Sequence, residues 1–176
     1  ISYGASPMTK ELLDLAIEKM PNVAFCQIYG QTESGGTAAA LLARYHTAEW
    51  LESDRRRSAG VSVPGVEIRI VDPHDNPLSA GAKGEIWLRG PSITTGYWGK
   101  PGQTAEALRG GWLHTGDAGY LDEDGFLYIV DRIKDMIISG GENVYSAEVE
   151  NILSRHPAVG ECAVIGIPSD KWGEQV

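Results

Sequence analysis

Apolar residues at the start of the chain follow two spacings, one after the other. The first set recurs every three or four positions, at Leu12, Leu13, Ala16, Ile17 and Met20. This spacing predicts an amphipathic helix that begins near Ser6 or Thr9 and ends before Pro21. Residues 23–29 are mostly apolar and precede a glycine, which predicts a buried strand of a parallel sheet. The polar loop 30–36 therefore follows the carboxyl end of a strand, where open α/β sheets bind ligands.

Between residues 66 and 131 apolar and polar residues alternate with a period of two. This alternation predicts strands at 66–70, 85–89, 113–121 and 126–131. Several short strands at such spacing are typical of a small antiparallel barrel or sheet, so we expect a barrel-like subdomain. The segment 37–65 has a weaker pattern, in which residues 38–45 are compatible with a helix.

The pattern changes again after Asp131. It predicts a short strand at 136–138, a helix at 146–154 with Ser146 as its cap, and an apolar strand at 159–167. We therefore expect an α/β fold with a β-barrel-like subdomain, α+β overall, and a domain boundary near residues 131–134. Because the first residue is Ile1 and not Met, we also expect the chain to be part of a longer protein.

Composition narrows the class of protein. The chain has 176 residues, of which 42% are hydrophobic and 22% charged, so it can form a core. Its net charge of −9 excludes a general nucleic-acid binder that neutralises phosphates, although a local phosphate site stays open. Cys26 and Cys162 make no disulfide framework, which favours the reducing cytosol. No run of about 18 apolar residues is present, so we expect no transmembrane segment.

Four polar groups have side chains that could carry chemistry. Tyr29-Gly30-Gln31-Thr32-Glu33 offers an aromatic face, a hydroxyl and a carboxylate, or is only a polar loop. Asp117 could accept hydrogen bonds from a ribose diol, or from its own turn. The alternating charges of residues 131–135 are also typical of a solvated linker. Residues 139–143 are rich in glycine but lack the Lys-Ser/Thr ending of a P-loop.

The order of these groups along the chain resembles that of the adenylate-forming superfamily. Its members include acyl-CoA synthetases, adenylation domains of peptide synthetases and firefly-type luciferases. The resemblance rests on Tyr29-Gly30-Gln31-Thr32-Glu33, on 84–90 with Gly96-Tyr97-Trp98, on Thr115-Gly116-Asp117, and on 131–150. Within the superfamily, residues 131–145 look most like fatty-acyl and related acyl-CoA ligases.

The resemblance implies an enzyme that works in two steps. A carboxylic acid, most simply a fatty acid, attacks the α-phosphate of Mg-ATP to give acyl-AMP and pyrophosphate. The thiol of coenzyme A then displaces AMP. The acceptor could instead be a carrier protein or oxygen, or the chain could be a non-catalytic nucleotide-binding relative. The superfamily's upstream phosphate loop and its C-terminal catalytic lysine lie outside this sequence.

The resemblance also implies a role for individual residues. Around the nucleotide, Thr32 would contact phosphate, Glu33 would hold Mg²⁺, and Asp117 with Arg132 would bind the ribose hydroxyls. The adenine and the adenylate would be bordered by Gly4, Ala5, Ser6, Gln27, Tyr29 and Gly30, with Ala5 and Gln27 also near the acyl pocket.

Three further residues belong to the predicted C-terminal part. Lys134 occupies the hinge position, and Gly140 and Gly141 would line the tunnel for the pantetheine arm of coenzyme A. The domains implied are the end of an α/β subdomain at 1–65, a barrel-like subdomain at 66–131, a hinge at 132–135, and the start of a small mobile C-terminal domain at 136–176.

Overall fold

The computed structural model describes residues 1–5, 8, 10–50 and 53–176. Within these residues twelve strands form three four-stranded sheets, and three α-helices accompany them. This arrangement confirms the mixed α/β class. Ser6 and Thr9, the two expected helix starts, lie outside the described residues. The longest described helix has ten residues, and none in these ranges is long and apolar enough to cross a membrane.

The first sheet, in the order β1-β2-β3-β4, begins with a βαβ unit. Its elements are β1 (Ser2–Gly4), α1 (Lys10–Lys19), β2 (Cys26–Tyr29), β3 (Ala39–Leu41) and β4 (Val61–Ser62). The predicted helix is present as α1, with Leu13 buried, whereas β1 had no signal in the sequence. Because β1 and β2 are parallel, both end at the same edge of the sheet.

The helix that we considered at 38–45 is wrong. Residues of this segment form β3, which pairs antiparallel with β2, and a 3₁₀ turn at Ala43–His46. Ala38, Ala39 and Leu41 are all 0% exposed. A surface helix buries only one stripe of side chains, whereas small residues in a strand can be enclosed on both faces.

The second sheet is an antiparallel meander in the order β5-β6-β7-β8. Its elements are β5 (Glu67–Val71), β6 (Gly84–Arg89), α2 (Pro101–Ala107), β7 (Leu113–Leu121) and β8 (Leu127–Arg132). These strands confirm the period-two prediction. Among the described strands β5 and β8 do not pair with each other, so the barrel-like subdomain is an open sheet rather than a closed barrel.

The first two sheets share one hydrophobic core. Its buried members are Ala38, Ala39, Ala59, Val66, Ile70, Ile86, Leu88, Leu113 and Leu127. Two backbone hydrogen bonds reinforce the contact: Ala59 N–H donates to Leu127 O at 2.7 Å, and Leu127 N–H donates to Gly60 O at 2.8 Å. These hydrogen bonds join the segment before β4 of the first sheet to β8 of the second sheet.

The third sheet, in the order β10-β9-β12-β11, contains the C-terminal elements. They are β9 (Ile137–Ser139), β10 (Glu142–Val144), α3 (Ser146–Leu153), β11 (Ile167–Ser169) and β12 (Gly173–Gln175). The predicted helix is present, but Ser146 is its first helical residue and not its cap. The carboxylate of Asp131 accepts from Ser146 Oγ at 2.8 Å and from Ala147 N–H at 3.1 Å, and so caps α3 from outside.

The predicted strand at 159–167 is largely wrong. Residues 159–166 are irregular, and β11 begins only at Ile167. A strand requires a hydrogen-bonding neighbour along its length. In this segment Val164 N–H instead donates to the side chain of Glu150 at 2.8 Å.

Candidate functional site

The loop after β2 is a short, tightly closed turn. Gln31 N–H donates to Ser34 Oγ at 3.0 Å, and that hydroxyl donates to Gln31 O at 2.9 Å. A Cβ at Gly30 would lie only 2.7 Å from Gly36 O, so the two ends of the loop approach closely because residue 30 is glycine. Thr32 is exposed at the tip of this loop, and Glu33 follows it. The loop therefore presents a hydroxyl and a carboxylate on a constrained backbone.

Strand β7 contains a bulge opposite that loop. In the pairing with β6, Glu85 faces Ala118 and Trp87 faces His114, so residues 115–117 face Ile86 alone. Thr115 Oγ1 donates to Ile86 O at 2.6 Å and accepts from Asp117 N–H at 3.1 Å. Gly116 has φ +70°, which glycine adopts without steric cost. Bulges of this kind redirect a side chain, and here the residue redirected is Asp117.

The Asp117 carboxylate, on β7, contacts one residue of β2 and one of β8. Tyr29 OH, at the end of β2, donates to Asp117 Oδ2 at 2.8 Å. Arg132 Nε, at the end of β8, lies 2.9 Å from Asp117 Oδ1. Asp117 is 8% exposed, whereas the Arg132 side chain is 58% exposed. Three of the residues predicted to bind the nucleotide thus form one contiguous cluster, which we call the Asp117 cluster.

Burial decides the protonation equilibria of the Asp117 cluster. Desolvation raises the pKa of Asp117 above its usual value, while the Tyr29 hydrogen bond and the Arg132 charge oppose this shift. Burial also raises the pKa of Tyr29, and the negative charge of Asp117 raises it further. The Tyr29 phenol therefore stays protonated and keeps donating to the carboxylate.

Glu33 is held by the loop that follows β6. Tyr97 OH donates to Glu33 Oε1 at 2.8 Å, and Thr94 N–H donates to Glu33 O at 2.7 Å. The hydrogen bond to Glu33 raises the pKa of Tyr97. Within the described residues no three His, Cys, Asp or Glu side chains cluster as a metal cage. A single carboxylate fits Mg²⁺, which usually binds one or two carboxylates together with substrate phosphates.

Of the other residues predicted near adenine, Gly4 lies on β1, Ala5 follows β1, and Gln27 lies on β2. Gly4 pairs with Ile28, and a Cβ at Gly4 would collide with the Ile28 carbonyl oxygen. Ala5 has φ +64°, an unusual conformation for a residue with a side chain. Gln27 Oε1 accepts from Tyr3 OH at 3.4 Å, so its contact is with β1. Ser6 lies outside the described residues.

The residues predicted for the hinge and the coenzyme A tunnel lie in the C-terminal part. Lys134 is exposed in the 3₁₀ turn Ile133–Asp135, which connects β8 to β9. Gly140 and Gly141 form the two-residue turn between β9 and β10, with φ +61° and +88°. Positive φ at both central residues is the type I′ requirement, so the hairpin alone explains both glycines. A Cβ at Gly140 would also lie 2.8 Å from the Trp172 ring.

Sequence reasoning missed three residues that support the site. Thr115, Glu85 and Tyr97 all lie inside the motifs that carried the resemblance, but no role was assigned to them. The glycine at position 116 inside a predicted strand was an available signal, because an isolated strand glycine often marks a bulge. The contact of Tyr97 with Glu33 spans 64 residues and had no local signal.

The model of the family described as AMP-binding enzyme matches residues 1–98 of the chain. The chain belongs to this family. A second model, the AMP-binding enzyme C-terminal domain, matches residues 148–176. The two matches lie on either side of the connection between the second and third sheets.

This AMP-binding enzyme chain spans about a third of the length of the curated relatives it matches. It is 46% identical over 174 residues to a fatty acid–[acyl-carrier-protein] ligase from Streptomyces coeruleorubidus, covering 99% of this chain and 33% of that protein. It is also 46% identical over 171 residues to a feruloyl-CoA synthase from Amycolatopsis sp, covering 97% of this chain and 33% of that protein.

Solved structures show the same architecture. The o-succinylbenzoate CoA synthetase of Bacillus subtilis, in complex with its acyl-adenylate intermediate, matches with a TM-score of 0.86 at 37% identity. The match covers 99% of this chain and 34% of that one. The same enzyme in complex with ATP and magnesium matches with a TM-score of 0.84 at 36% identity, over 98% of this chain and 34% of that one. The adenylate-forming fold expected from the motifs is thereby confirmed.

Proposed function

We propose that this chain is the middle-to-late portion of an acyl-CoA synthetase. The enzyme activates a carboxylic acid with ATP to acyl-AMP and pyrophosphate, and then transfers the acyl group to coenzyme A with release of AMP. The observation that supports this proposal best is the Asp117 cluster. Tyr29, Asp117 and Arg132 come from separate parts of the sequence and meet at the edge where the β1 and β2 strands end.

Asp117 is the proposed acceptor for the ribose hydroxyls. A carboxylate offers about four lone-pair sites, and each oxygen of Asp117 has only one of the two protein contacts described above. The remaining lone pairs can therefore accept from a diol. Because Tyr29 and Arg132 fix the carboxylate from two sides, the nucleotide would not have to order it. The exposed Arg132 guanidinium can add a hydrogen bond to the same sugar.

The loop after β2 is the proposed contact for the phosphates. Thr32 would donate its hydroxyl to a phosphate oxygen, and Glu33 would hold Mg²⁺. When bound, this ion neutralises charge on the leaving pyrophosphate. The ring of Tyr29, with Gly4, Ala5, Ser6 and Gly30, would border the adenine. Gln27, one residue along β2 from Ile28, would lie toward the adenylate and the acyl group.

We propose that the C-terminal part serves the thioester-forming step. Lys134 would be the hinge between a large domain, made of the 1–65 and 66–131 subdomains, and a small mobile domain that starts at 136. Gly140 and Gly141 would line the passage of the pantetheine arm. The exposed 3₁₀ turn at Ile133–Asp135 supports the hinge, because element-terminal residues commonly absorb such rotations.

The substrate class and the acceptor are proposed from the family resemblance and from the curated relatives. We propose a fatty or similarly apolar carboxylic acid. Since one relative at 46% identity is a ligase that acts with an acyl carrier protein, a carrier protein is the second candidate acceptor. We place the reaction in the cytosol, where the two free cysteines, Cys26 and Cys162, stay reduced.

The test is an assay of the full-length enzyme across fatty, hydroxycinnamic and other aromatic acids. Acid-dependent exchange of pyrophosphate into ATP measures the first step, and AMP release with coenzyme A or with holo-carrier protein measures the second. We expect exchange with apolar acids, and AMP release with coenzyme A. The 176-residue chain alone is the control, and we expect it to show neither. Nucleotide binding without exchange for any acid would contradict the proposal and indicate a non-catalytic relative.

A further inference from the structure

Glu85 lies beneath the bulge that carries Asp117. One carboxylate oxygen, Oε1, accepts from Gly116 N–H at 3.1 Å. The other, Oε2, accepts from Trp87 Nε1–H at 2.9 Å and lies 3.6 Å from His114 Nδ1. The Glu85 side chain is 22% exposed, so water competes weakly for these contacts. The Glu85 side chain thus contacts groups before, within and opposite the bulge.

The bulge needs such support because it interrupts the hydrogen-bonded ladder between β6 and β7. Three residues of β7 face Ile86 alone, so their backbone groups cannot all pair with β6. Two side chains replace the lost partners. Thr115 Oγ1 donates to the carbonyl of Ile86, and Glu85 accepts from the N–H of Gly116. Gly116 immediately precedes Asp117, so its peptide orientation sets the direction of the Asp117 side chain.

We propose that Glu85 is a positioning residue for ribose recognition, which acts by fixing the Gly116 peptide and through it the Asp117 carboxylate. This inference rests on the proposed ribose role of Asp117. The contacts described for Glu85 are with the protein groups of Gly116, Trp87 and His114. Without its acceptor, the Gly116 N–H loses its partner and the bulge can relax, which shifts the Asp117 carboxylate relative to its contacts with Tyr29 and Arg132. The expected consequence is weaker hydrogen bonding to the ribose hydroxyls, with the other proposed nucleotide contacts retained.

The experiment compares ATP with 2′,3′-dideoxy-ATP, which lacks both hydroxyls. In the full-length enzyme, kcat/KM of acid-dependent pyrophosphate exchange is measured for each nucleotide, and their ratio defines the hydroxyl discrimination. Glu85→Asp keeps the charge but shortens the side chain by one methylene, so that it no longer reaches Gly116 N–H. We expect this variant to lose about ten-fold in discrimination, with the dideoxy substrate changed about two-fold or less.

Two matched variants sharpen the test. Glu85→Gln keeps the length and one carbonyl oxygen, which can still accept from Gly116 N–H, while its NH2 group replaces the acceptor of Trp87 Nε1–H. Discrimination should therefore fall clearly less than in Glu85→Asp, to within about three-fold of the wild type. Glu67→Ala removes an exposed carboxylate from neighbouring β5, where it pairs with Arg89 at the surface, and should leave both substrates unchanged. Circular dichroism and thermal unfolding establish that each variant is folded.

The outcomes separate the inference from the function on which it rests. Asp117→Ala provides the reference, because it removes the proposed ribose acceptor itself. If Asp117→Ala abolishes discrimination and Glu85→Asp lowers activity equally for both nucleotides, Glu85 is merely structural and the inference is overturned. An equal loss in Glu85→Asp and Glu85→Gln would also overturn it. If Asp117→Ala leaves discrimination intact, the ribose role itself fails.

Discussion

The first two sheets and the third sheet differ in how far their apolar side chains are buried. The first two share a core in which Ala38, Ile86 and Leu127 are all 0% exposed. In the third sheet and α3, by contrast, most large apolar side chains are exposed, among them Ile138, Ile152, Leu153, Ile167 and Trp172. What joins this part to the second sheet is largely polar. Lys83 Nζ lies 2.6 Å from Glu148 Oε1, and Asp131 caps α3.

We infer from this difference that the first two sheets form a fixed part of the chain, and that the third sheet with α3 forms a part that can change its contacts. Apolar burial stabilises by about 25 cal/mol per Å² and is lost when surfaces separate. A few exposed ion pairs and hydrogen bonds contribute much less and exchange readily with water. The whole Asp117 cluster lies in the fixed part, whereas Gly140 and Gly141 lie in the other. The proposed ribose contacts of Asp117 and Arg132 therefore do not include residues of α3.

The largest expected effect comes from a substitution in the core that the first two sheets share. Leu88→Ala removes a side chain that is 0% exposed in the shared core. It should lower the free energy of unfolding by about 2–5 kcal/mol through lost burial and the cavity left behind. Leu153→Ala makes the same change on α3, where the side chain is 43% exposed, and should cost no more than about 0.5 kcal/mol. Urea unfolding followed by far-ultraviolet circular dichroism, which reports on both parts, measures both costs, and equal costs would contradict the comparison.

The second effect tests the site within the fixed part. Asp117→Ala in the full-length enzyme removes a charged acceptor for the ribose and should cost about 1.5–3 kcal/mol of binding, or one to two orders of magnitude in the KM for ATP. The ATP dependence of pyrophosphate exchange is the measurement. Asp122→Ala, in the loop between β7 and β8, is the control and should leave the KM unchanged. An unaltered ATP dependence in Asp117→Ala would remove the ribose role.

A third prediction concerns the connection between the two parts. Lys134→Pro fixes φ near −65° and disfavours the helical conformation of the preceding Ile133 in its 3₁₀ turn. Rotation about this connection should be hindered, so pyrophosphate exchange is retained while thioester formation falls about ten-fold or more. Lys134→Ala keeps the backbone free and should retain both reactions, because this side chain is 75% exposed. Equal loss of both reactions in the proline variant would show that position 134 is no hinge.

The smallest expected effect concerns the polar contacts between the second sheet and α3. Lys83→Met removes the ion pair with Glu148 and the contact of the ammonium with the Tyr145 ring, whose centroid is 4.9 Å away. Because both partners are partly exposed, the cost should be about 0.3–1 kcal/mol and should shrink at high salt. Hydrogen exchange in α3 should accelerate while exchange in β6 and β7 stays unchanged. Faster exchange in β6 would mean that the two parts are not separately stabilised.

The sequence predicted the second sheet well because its strands alternate. Ile68, Ile70, Ile86 and Leu88 of β5 and β6 face the shared core, as the alternation predicts. Val71 and Trp87, on the other face, are buried in a second cluster with Trp112, which the alternation did not predict. It failed at β3 and at 159–166. The small residues Ala38 and Ala39 have no periodic signal, and their strand conformation depends on β2 and on the second sheet. Residues 159–166 are apolar enough for a strand, but the Val164 N–H donates to the Glu150 side chain and not to a neighbouring strand.

For the candidate site, the motifs identified which residues matter but not how they are held. Tyr29, Asp117 and Arg132 were all named in advance, although their contacts span up to 88 residues of sequence. The roles of Thr115 and Glu85 could not be named, because both depend on the register of β6 against β7. Register is a property of strand pairing, and the residues of one strand do not specify it.

Asp131 and Arg132 show how adjacent residues can serve both parts of the molecule. Successive side chains of a strand point to opposite faces, so Arg132 reaches Asp117 while Asp131 reaches the start of α3. For anyone who builds chimeras between members of this family, the junction should therefore follow Arg132. In such a chimera the recipient supplies Asp131 and Arg132, and the donor segment, which begins at residue 133, supplies the two groups that donate to Asp131. One of these groups, the Ala147 N–H, belongs to the backbone and needs no particular side chain in the grafted helix.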